Sequence, residues 1–345
     1  MNSAKNHQKP EVSVLLPVYN SESTLSEAID SILSQTFEDF EVIAVDDGSS
    51  DNSADILNRY AKIDPRIKVI SIPHQGIVPA LNTGLHEATG TFIARMDADD
   101  YSHPERLQKQ VQYLKDNNDI GLVSCLVGFL GDTKSQAGYY RYVKWINRQI
   151  SFKDISLNQF VESPIAHPTV MFRKELVSEY GTYRNGDFPE DYELWLRWLS
   201  KGVKMAKIPE TLFSWRDLPD RLSRTDQRYR FEAFYKTKAK YLAMWLQENN
   251  RHHPDVMIWG AGRTTRKRAD ILKNNGINIT AWIDIDPNKI GYEVAGIPVI
   301  AKEEIPGKGS VFVLGYVGRH GARKDILDFL ESKNFTPGLN VIFAA

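Results

Sequence analysis

Short apolar runs that alternate with stretches of helical periodicity constrain this chain more than any other feature. Val12–Pro17, Phe40–Asp46, Ile67–Ile72 and Thr91–Met96 read as buried strands. Between them, Glu22–Ser34, Asn52–Ala61 and Ile77–Ala88 carry apolar residues at helical spacing. Alternation of this kind predicts an α/β fold, a parallel sheet covered by helices on both faces. Ligands of such sheets bind beyond the carboxyl ends of the strands, so the polar residues at those ends carry the functional reading.

The pattern continues less regularly. Pro104–Leu114 predicts a helix with proline in its first turn. Gly131–Ile155 is polar and aromatic, with Tyr139, Tyr140, Tyr142 and Trp145 among basic residues. An aromatic-rich helix is expected over Glu190–Ser200, then strands over Lys204–Ile208 and Thr211–Trp215, then a long amphipathic helix over Thr225–Gln247. Asn249–Pro254 is a polar break, after which strand and helix signals restart. Val256–Trp259, Thr264–Asn274, Ile279–Ile283, Val311–Leu314 and Asp325–Ser332 outline a small Rossmann-like β-α-β unit. The expected domains are therefore residues 1–218, a helical linker over 219–253, and residues 254–345.

Composition excludes several classes. One cysteine, Cys125, leaves neither an intrachain disulfide nor a thiolate metal site, which fits a reducing cytoplasm. The longest uncharged apolar run, Ile120–Gly131, is too short to cross a bilayer, so the acceptor is expected to be soluble or reached peripherally. Charge is unevenly spread. Residues 1–120 hold 10 Lys and Arg against 19 Asp and Glu, whereas residues 201–273 hold 17 against 8. Solvated surface explains such a bias as readily as a face for a polyanion.

Three acidic or polar clusters stand at predicted strand ends: Pro17-Val18-Tyr19-Asn20, Asp46-Asp47-Gly48-Ser49 and Asp97-Ala98-Asp99-Asp100. Carboxylates there can accept from a ribose hydroxyl or a base imide, and an Asp-x-Asp pair can hold a divalent cation through oxygen. Such a cation would neutralise a departing diphosphate. The runs Val12–Asn20, Val45–Asp51 and Arg95–Asp100 resemble the signature of glycosyltransferase family 2. The resemblance implies the GT-A nucleotide-diphospho-sugar transferase fold, UDP-, GDP- or dTDP-sugar donors with UDP favoured, and Mn²⁺ or Mg²⁺.

On that resemblance Tyr19 stacks on the base, Asp47 accepts from it, Asp97 lies by ribose and diphosphate, and Asp99 is the principal metal ligand. Gln75, Gly76 and Asn82 match the segment bordering the donor, and Pro17, Asn20, Glu22 and Arg95 complete the donor side. Inverting transfer also needs a base for the acceptor hydroxyl. Pro189-Glu190-Asp191-Tyr192-Glu193 matches the family's Glu-Asp motif, which makes Asp191 the base and Glu190 its orienting neighbour. Glu193 is read as a first-turn acid that favours the helix dipole. His167 would line the site, add a metal ligand, or be a structural histidine. Arg216 would clamp the diphosphate or form a surface ion pair.

In the C-terminal unit Gly260-x-Gly262 opens a helix and Asp284 stands where a ribose-binding acid belongs, but Thr265 replaces the third glycine. That argues against NAD and for a structural or acceptor-recognition role. The unit resembles the nucleotide-sugar-binding domains attached to bacterial sugar acetyltransferases. The motif order along the whole chain resembles a bacterial subgroup of family 2, similar in architecture to the queuosine-tRNA galactosyltransferases. A modified tRNA nucleoside as acceptor would account for the basic stretch. The alternatives are a peripheral transferase for cell-surface glycan or lipid-linked saccharide, and a non-catalytic sugar-nucleotide-binding protein. The intact Asp-x-Asp and Glu-Asp motifs argue against the last.

Overall fold

The computed structural model describes residues 9–218, 221–319 and 321–345. These form two compact units. The first holds the chain up to Phe152 with Ile165–Gly186 and Glu190–Thr225, and the second holds Lys153–Pro164, Asp187–Pro189 and Asp226–Ala345.

The strands of the first unit are β1 (Val12–Val18), β2 (Phe40–Asp46), β3 (Ile67–Ser71), β4 (Phe92–Arg95), β5 (Tyr101–Ser102), β6 (Ile120–Leu130), β7 (Met171–Arg173) and β8 (Lys204–Arg216). Among the described residues they make one sheet in the order β3-β2-β1-β4-β7-β6-β8-β5. The first four are mutually parallel, and β7 runs antiparallel to both β4 and β6. Leu15 and Leu16 are successive residues at 1% and 0% exposure. Successive strand residues point to opposite faces, so both faces of β1 are covered.

Helices α1 (Leu25–Leu33), α2 (Ser53–Ile63), α3 (Ile77–Glu87) and α4 (Arg106–Asp116) follow the early strands, and α5 (Ala137–Ile146) follows β6. Helix α1 buries Leu25, Ala28, Ile29 and Ile32, the one-sided spacing of a helix lying on a sheet. Past α6 (Phe152–Asn158), which from Lys153 onward belongs to the second unit, come α7 (Glu175–Tyr180), α8 (Glu190–Ser200) and the short α9 (Leu222–Thr225). The chain passes from β1 to β2 on one side and reaches β4 on the other, so a topological switch point lies at β1. Register places Val18 beside Asp46 and Leu15 beside Arg95. The loops after β1, β2 and β4 therefore emerge along one edge.

Some elements differ from the sequence expectation. Lys204–Ile208 and Thr211–Trp215 are one strand, because Ile208 pairs with Cys125 and Thr211 with the next residue, Leu126. Pro209 and Glu210 sit in that irregularity, where the missing proline N–H does not break the ladder. The aromatic stretch assigned no element contains α5. Tyr139, Tyr142, Val143 and Ile146 follow i, i+3, i+4, i+7 spacing; Val143 and Ile146 are buried, and the tyrosines pack on the core. The long helix begins at Phe231, since Asp226 accepts from the Arg228 N–H at 2.8 Å and stops the chain in a turn.

In the second unit α10 (Phe231–Asn249) precedes strands β9 (Asp255–Trp259), β10 (Asn278–Asp284), β11 (Glu293–Val294), β12 (Ile297–Ala301), β13 (Val313–Gly315) and β14 (Val341–Phe343). Their order is β11-β12-β10-β9-β13-β14, with β11 the antiparallel edge. Helices α11 (Arg263–Lys273) and α12 (Ala322–Ser332) complete the Rossmann-like arrangement, whose core includes Trp259, Ile283, Val313, Leu330 and Val341. Among the described residues no helix is long and apolar enough to cross a membrane.

Helix α5 gives a direct test of the packing. Ile146 is 0% exposed, so Ile146→Ala should lower unfolding stability by about 2–5 kcal/mol through lost burial and an unfilled cavity. Arg141 is exposed on the same helix, and Arg141→Ala should stay within about 0.5 kcal/mol. Denaturant unfolding of the two variants measures both.

Candidate active site

The loop after β1 is fastened to the loop after β2. The Asn20 N–H donates to Ser49 Oγ at 3.0 Å, and Asn20 Oδ1 accepts from the Ser50 N–H at 2.8 Å. Glu22 accepts from the Asn52 N–H and Nδ2 at 3.0 and 2.7 Å, while its own N–H donates to Asp51. Asn20 and Glu22 thus hold the two loops together. Pro17 remains inside β1 opposite Val45. Tyr19, at the end of the strand, is 46% exposed and stacks on His74.

Asp47 is buried and accepts from the N–H groups of Gln75 and Gly76 at 2.9 and 2.8 Å and from His74 Nδ1 at 2.8 Å. It ties β2 to the start of α3, where an anion is favoured by the free N–H groups and the dipole. Gly76 has φ 93° and ψ 176°, a conformation essentially reserved for glycine. Gln75 and Gly76 therefore meet the candidate site through their backbone. The Asn82 Nδ2 donates to the Tyr183 carbonyl at 2.9 Å.

At the end of β4 the side-chain oxygens of Asp97, Asp99 and Asp100 lie within 4.8 Å of one another. Three carboxylates so close repel, and burial removes the water that would screen them. Burial and the neighbouring Asp97 charge push Asp99 up to about 6. Asp100, more deeply buried, is raised well above the usual carboxylate range by burial and by the charges on Asp99 and Asp97. Its Oδ1 accepts from the Arg216 N–H at 2.8 Å, and its Oδ2 has no partner among the described residues. An orphaned buried oxygen inside a carboxylate trio is the donor chemistry that a divalent cation satisfies.

Cations surround this trio. Arg95 is 1% exposed and pairs with Asp97; burial opposes its charge, but Asp97, Tyr183 and Asp100 keep it protonated. Arg216 Nε donates to the Asp99 carbonyl at 2.8 Å, and Nη2 pairs with Glu27 at 2.6 Å. Arg221, given no separate role in the sequence reading, lies over Trp215 at 4.7 Å and donates to the Arg216 carbonyl and the Tyr139 hydroxyl at 2.8 and 2.9 Å. Burial works against its charge; Tyr139, Asp100, Asp97 and Asp99 outweigh that.

Asp191 opens α8 with Glu190. Burial and the Glu190 charge push Asp191 up to about 7, opposed by the Tyr192 N–H and by Arg95. Glu193, two residues on, is held by Arg197 at 3.1 Å and Arg184 at 3.3 Å, an ion-paired role in place of the helix-dipole role expected of it. His167 is buried and bonded through Nε2 to the Tyr183 hydroxyl at 2.8 Å, and burial lowers its affinity for a proton. It is not part of the carboxylate trio. Tyr183, which joins His167 to Asn82, carried no motif in the sequence and became visible only through these two bonds.

Comparison with known proteins bears on this site. Residues 13–181 match the family described as Glycosyl transferase family 2, and residues 252–333 the family described as CoA binding domain. An uncharacterized glycosyltransferase of Haemophilus influenzae is 31% identical over 245 residues, covering 69% of this chain and 75% of that protein. The chain belongs to glycosyltransferase family 2. The O-antigen biosynthesis glycosyltransferase WbnJ of Escherichia coli is 33% identical to this transferase over 211 residues, covering 59% of it and 79% of WbnJ. The crystal structure of S. aureus TarS 1-349 in complex with UDP-GlcNAc aligns with a TM-score of 0.54 at 18% identity, covering 76% of this chain and 71% of that one. It shares the GT-A fold.

In the second unit a cleft of about 450 Å³ is bounded by Gly260, Gly262, Asp284, Lys289, Lys302 and Arg319. Asp284 accepts from the N–H groups of Ala261, Ile285 and Asp286 and pairs with Lys289 at 3.2 Å. Its oxygens are therefore already used in holding the turn.

The site electrostatics give a pH test for this transferase. A base that must be ionised loses activity as pH falls through its pKa; were Asp191 that base, kcat/KM would drop below about pH 7, the value to which burial and the Glu190 charge push it. Arg95 favours the ionised form; Arg95→Gln should therefore move that acid limb to higher pH. A pH profile with an unmoved limb would separate Arg95 from Asp191.

Proposed function

We propose that this family 2 transferase is an inverting hexosyltransferase that moves a sugar from a UDP-sugar to an acceptor hydroxyl. The observation that carries the reading is a buried carboxylate at α8, pushed up to about 7, in the same unit as the Asp97–Asp99–Asp100 trio. Asp97 and Asp99, with the orphaned oxygen of Asp100, would hold Mn²⁺ or Mg²⁺. When bound, such an ion supplies charge neutralisation at the departing diphosphate.

The protein's own groups do the rest. Asp191 takes the proton of the acceptor hydroxyl as its oxygen forms the bond to the anomeric carbon and the nucleoside diphosphate leaves from the opposite face. Its raised pKa suits that task, since a base works best when its pKa lies near the operating pH. Glu190 orients the acceptor or the base. Tyr19 offers an exposed ring for the nucleobase and Asp47 an acceptor for its N–H. Arg216, bonded to Asp99 and Asp100, would add positive charge on the diphosphate side. The single buried Cys125 fits work in a reducing cytoplasm.

For the acceptor we favour a modified nucleoside of tRNA. Its support is the basic stretch 201–273, with 17 Lys and Arg against 8 Asp and Glu, including Arg263, Arg266, Lys267 and Arg268 at the start of α11. The similarity to WbnJ, an O-antigen biosynthesis enzyme by its name, favours a second reading in which a surface saccharide is the acceptor.

Replacement of Asp191 by Asn should reduce transfer on the order of 10²- to 10⁴-fold while UDP affinity changes little, as turnover assay and calorimetry would read; wild-type turnover would remove Asp191 as base. Asp99→Ala should make UDP binding indifferent to Mn²⁺, and a persisting metal response would move the ion elsewhere. Radiolabel from the UDP-sugar should enter tRNA, with binding that weakens steeply as salt rises. Label entering lipid-linked saccharide instead would establish the second reading.

A further inference from the structure

His74, in the turn between β3 and α3, makes two contacts that bear on the donor. Its ring stacks on Tyr19 with centroids 4.0 Å apart and 14° between the planes. Its Nδ1 lies 2.8 Å from Asp47 Oδ2 and 3.1 Å from the Asp47 carbonyl. Both partners only accept, so Nδ1 carries the proton and donates. A flat heteroaromatic ring on Tyr19, donating a ring N–H to Asp47, is what a nucleobase would present in the function proposed above. We propose that His74 is a stand-in for the nucleobase: it fills the base slot of the free protein, and an entering donor displaces it. The inference rests on the nucleotide-sugar reading and adds a residue that raises the threshold every base must pass.

The surroundings make His74 the replaceable partner. Asp47 takes its other two hydrogen bonds from the backbone N–H groups of Gln75 and Gly76, which the start of α3 fixes. The Asp47 side chain is 4% exposed, whereas that of His74 is 51% exposed and can swing into water. Water can take over the bonds of the half-exposed imidazole as it leaves, while Asp47 keeps its two backbone bonds. Gly48 brings the two loops together at φ +69°, and a Cβ there would stand 2.7 Å from the His74 backbone nitrogen. The approach of His74 to Asp47 is thus built into the loops.

A base displaces the imidazole only by making the same two contacts better. Uracil, thymine and guanine present a ring N–H to an acceptor that cannot donate; cytosine presents a ring acceptor there and leaves Asp47 facing a lone pair. His74 thereby raises the threshold that a base must pass, and Asp47 decides which bases pass it.

The test is calorimetric binding of UDP, GDP and CDP with Mn²⁺ to the full-length native protein, His74→Ala and His74→Phe. Removing a competitor raises the fraction of protein ready to bind. His74→Ala should therefore bind UDP about three- to tenfold more tightly, and His74→Phe, which keeps the stack without the N–H, should gain less. His74 resonances in the native protein should shift as UDP is added. Equal or weaker UDP binding by His74→Ala would overturn the proposal, since the imidazole would then be a contact for the base and not its substitute. If neither the native protein nor His74→Ala binds UDP or GDP, the nucleotide-donor reading itself fails, a result distinct from the loss of the His74 role.

Discussion

Arg95 stands at the end of β4 with 1% of its surface exposed, where carboxylates would otherwise meet without water to screen them. Its guanidinium pairs with Asp97 and favours the ionised form of Asp191, while the Arg106 side chain grips its carbonyl at 2.5 Å. Breaking a buried pair by removing one partner typically costs about 3–5 kcal/mol, because the remaining charge is left uncompensated. The acidic centre therefore depends on this cation. With it in place, burial and the Asp97 charge push Asp99 up to about 6, burial with the Asp99 and Asp97 charges raises Asp100 well above the usual carboxylate range, and Asp191 is pushed up to about 7. Such a trio is short of positive charge, which a divalent ion would supply.

Sheet topology explains why these groups meet at all. Parallel β1, β2 and β4 end along one edge at a switch in strand order, and their loops are fastened by hydrogen bonds between residues far apart in sequence. Asn20 with Ser49 and Ser50, Glu22 with Asn52, and Thr24 with the Ala98 carbonyl form that fastening. The long β8, carried past Pro209 and Glu210 by an irregularity in its pairing with β6, delivers Trp215 and Arg216 to the acidic loop. Precision in the site comes from strands and short ties, with little left to free loops.

How much of this was readable in the sequence follows from the range of the interactions. Strand ends are local: a run such as Val12–Pro17 followed by Tyr19 and Asn20 announces both the strand and its polar terminus, and Glu190–Ser200 was placed to the residue. The partners of polar side chains are not local. Asn20 and Glu22 hold the neighbouring loop through bonds to Ser50 and Asn52, 30 positions away. Tyr183, His74 and Arg221 carry no motif because their roles are set by contacts with residues 16, 27 and 82 positions away. Aromatic and basic residues mask the spacing of helix α5; in the fold, Tyr139 and Tyr142 pack against the core. In the second unit, the three-residue strand β14 is too short for periodicity to register.

The central claim is that this arrangement releases the sugar with its anomeric centre inverted, a carboxylate at Asp191 activating the attacking oxygen. Donor hydrolysis tests it without any acceptor, because water can take the acceptor's place. Proton NMR of a UDP-α-hexose incubated with the protein and Mn²⁺ reads the configuration of the first sugar released, before mutarotation mixes the anomers. The account predicts the β-hexose first, with release slowed sharply in Asp191→Asn; the α-hexose appearing first would contradict it.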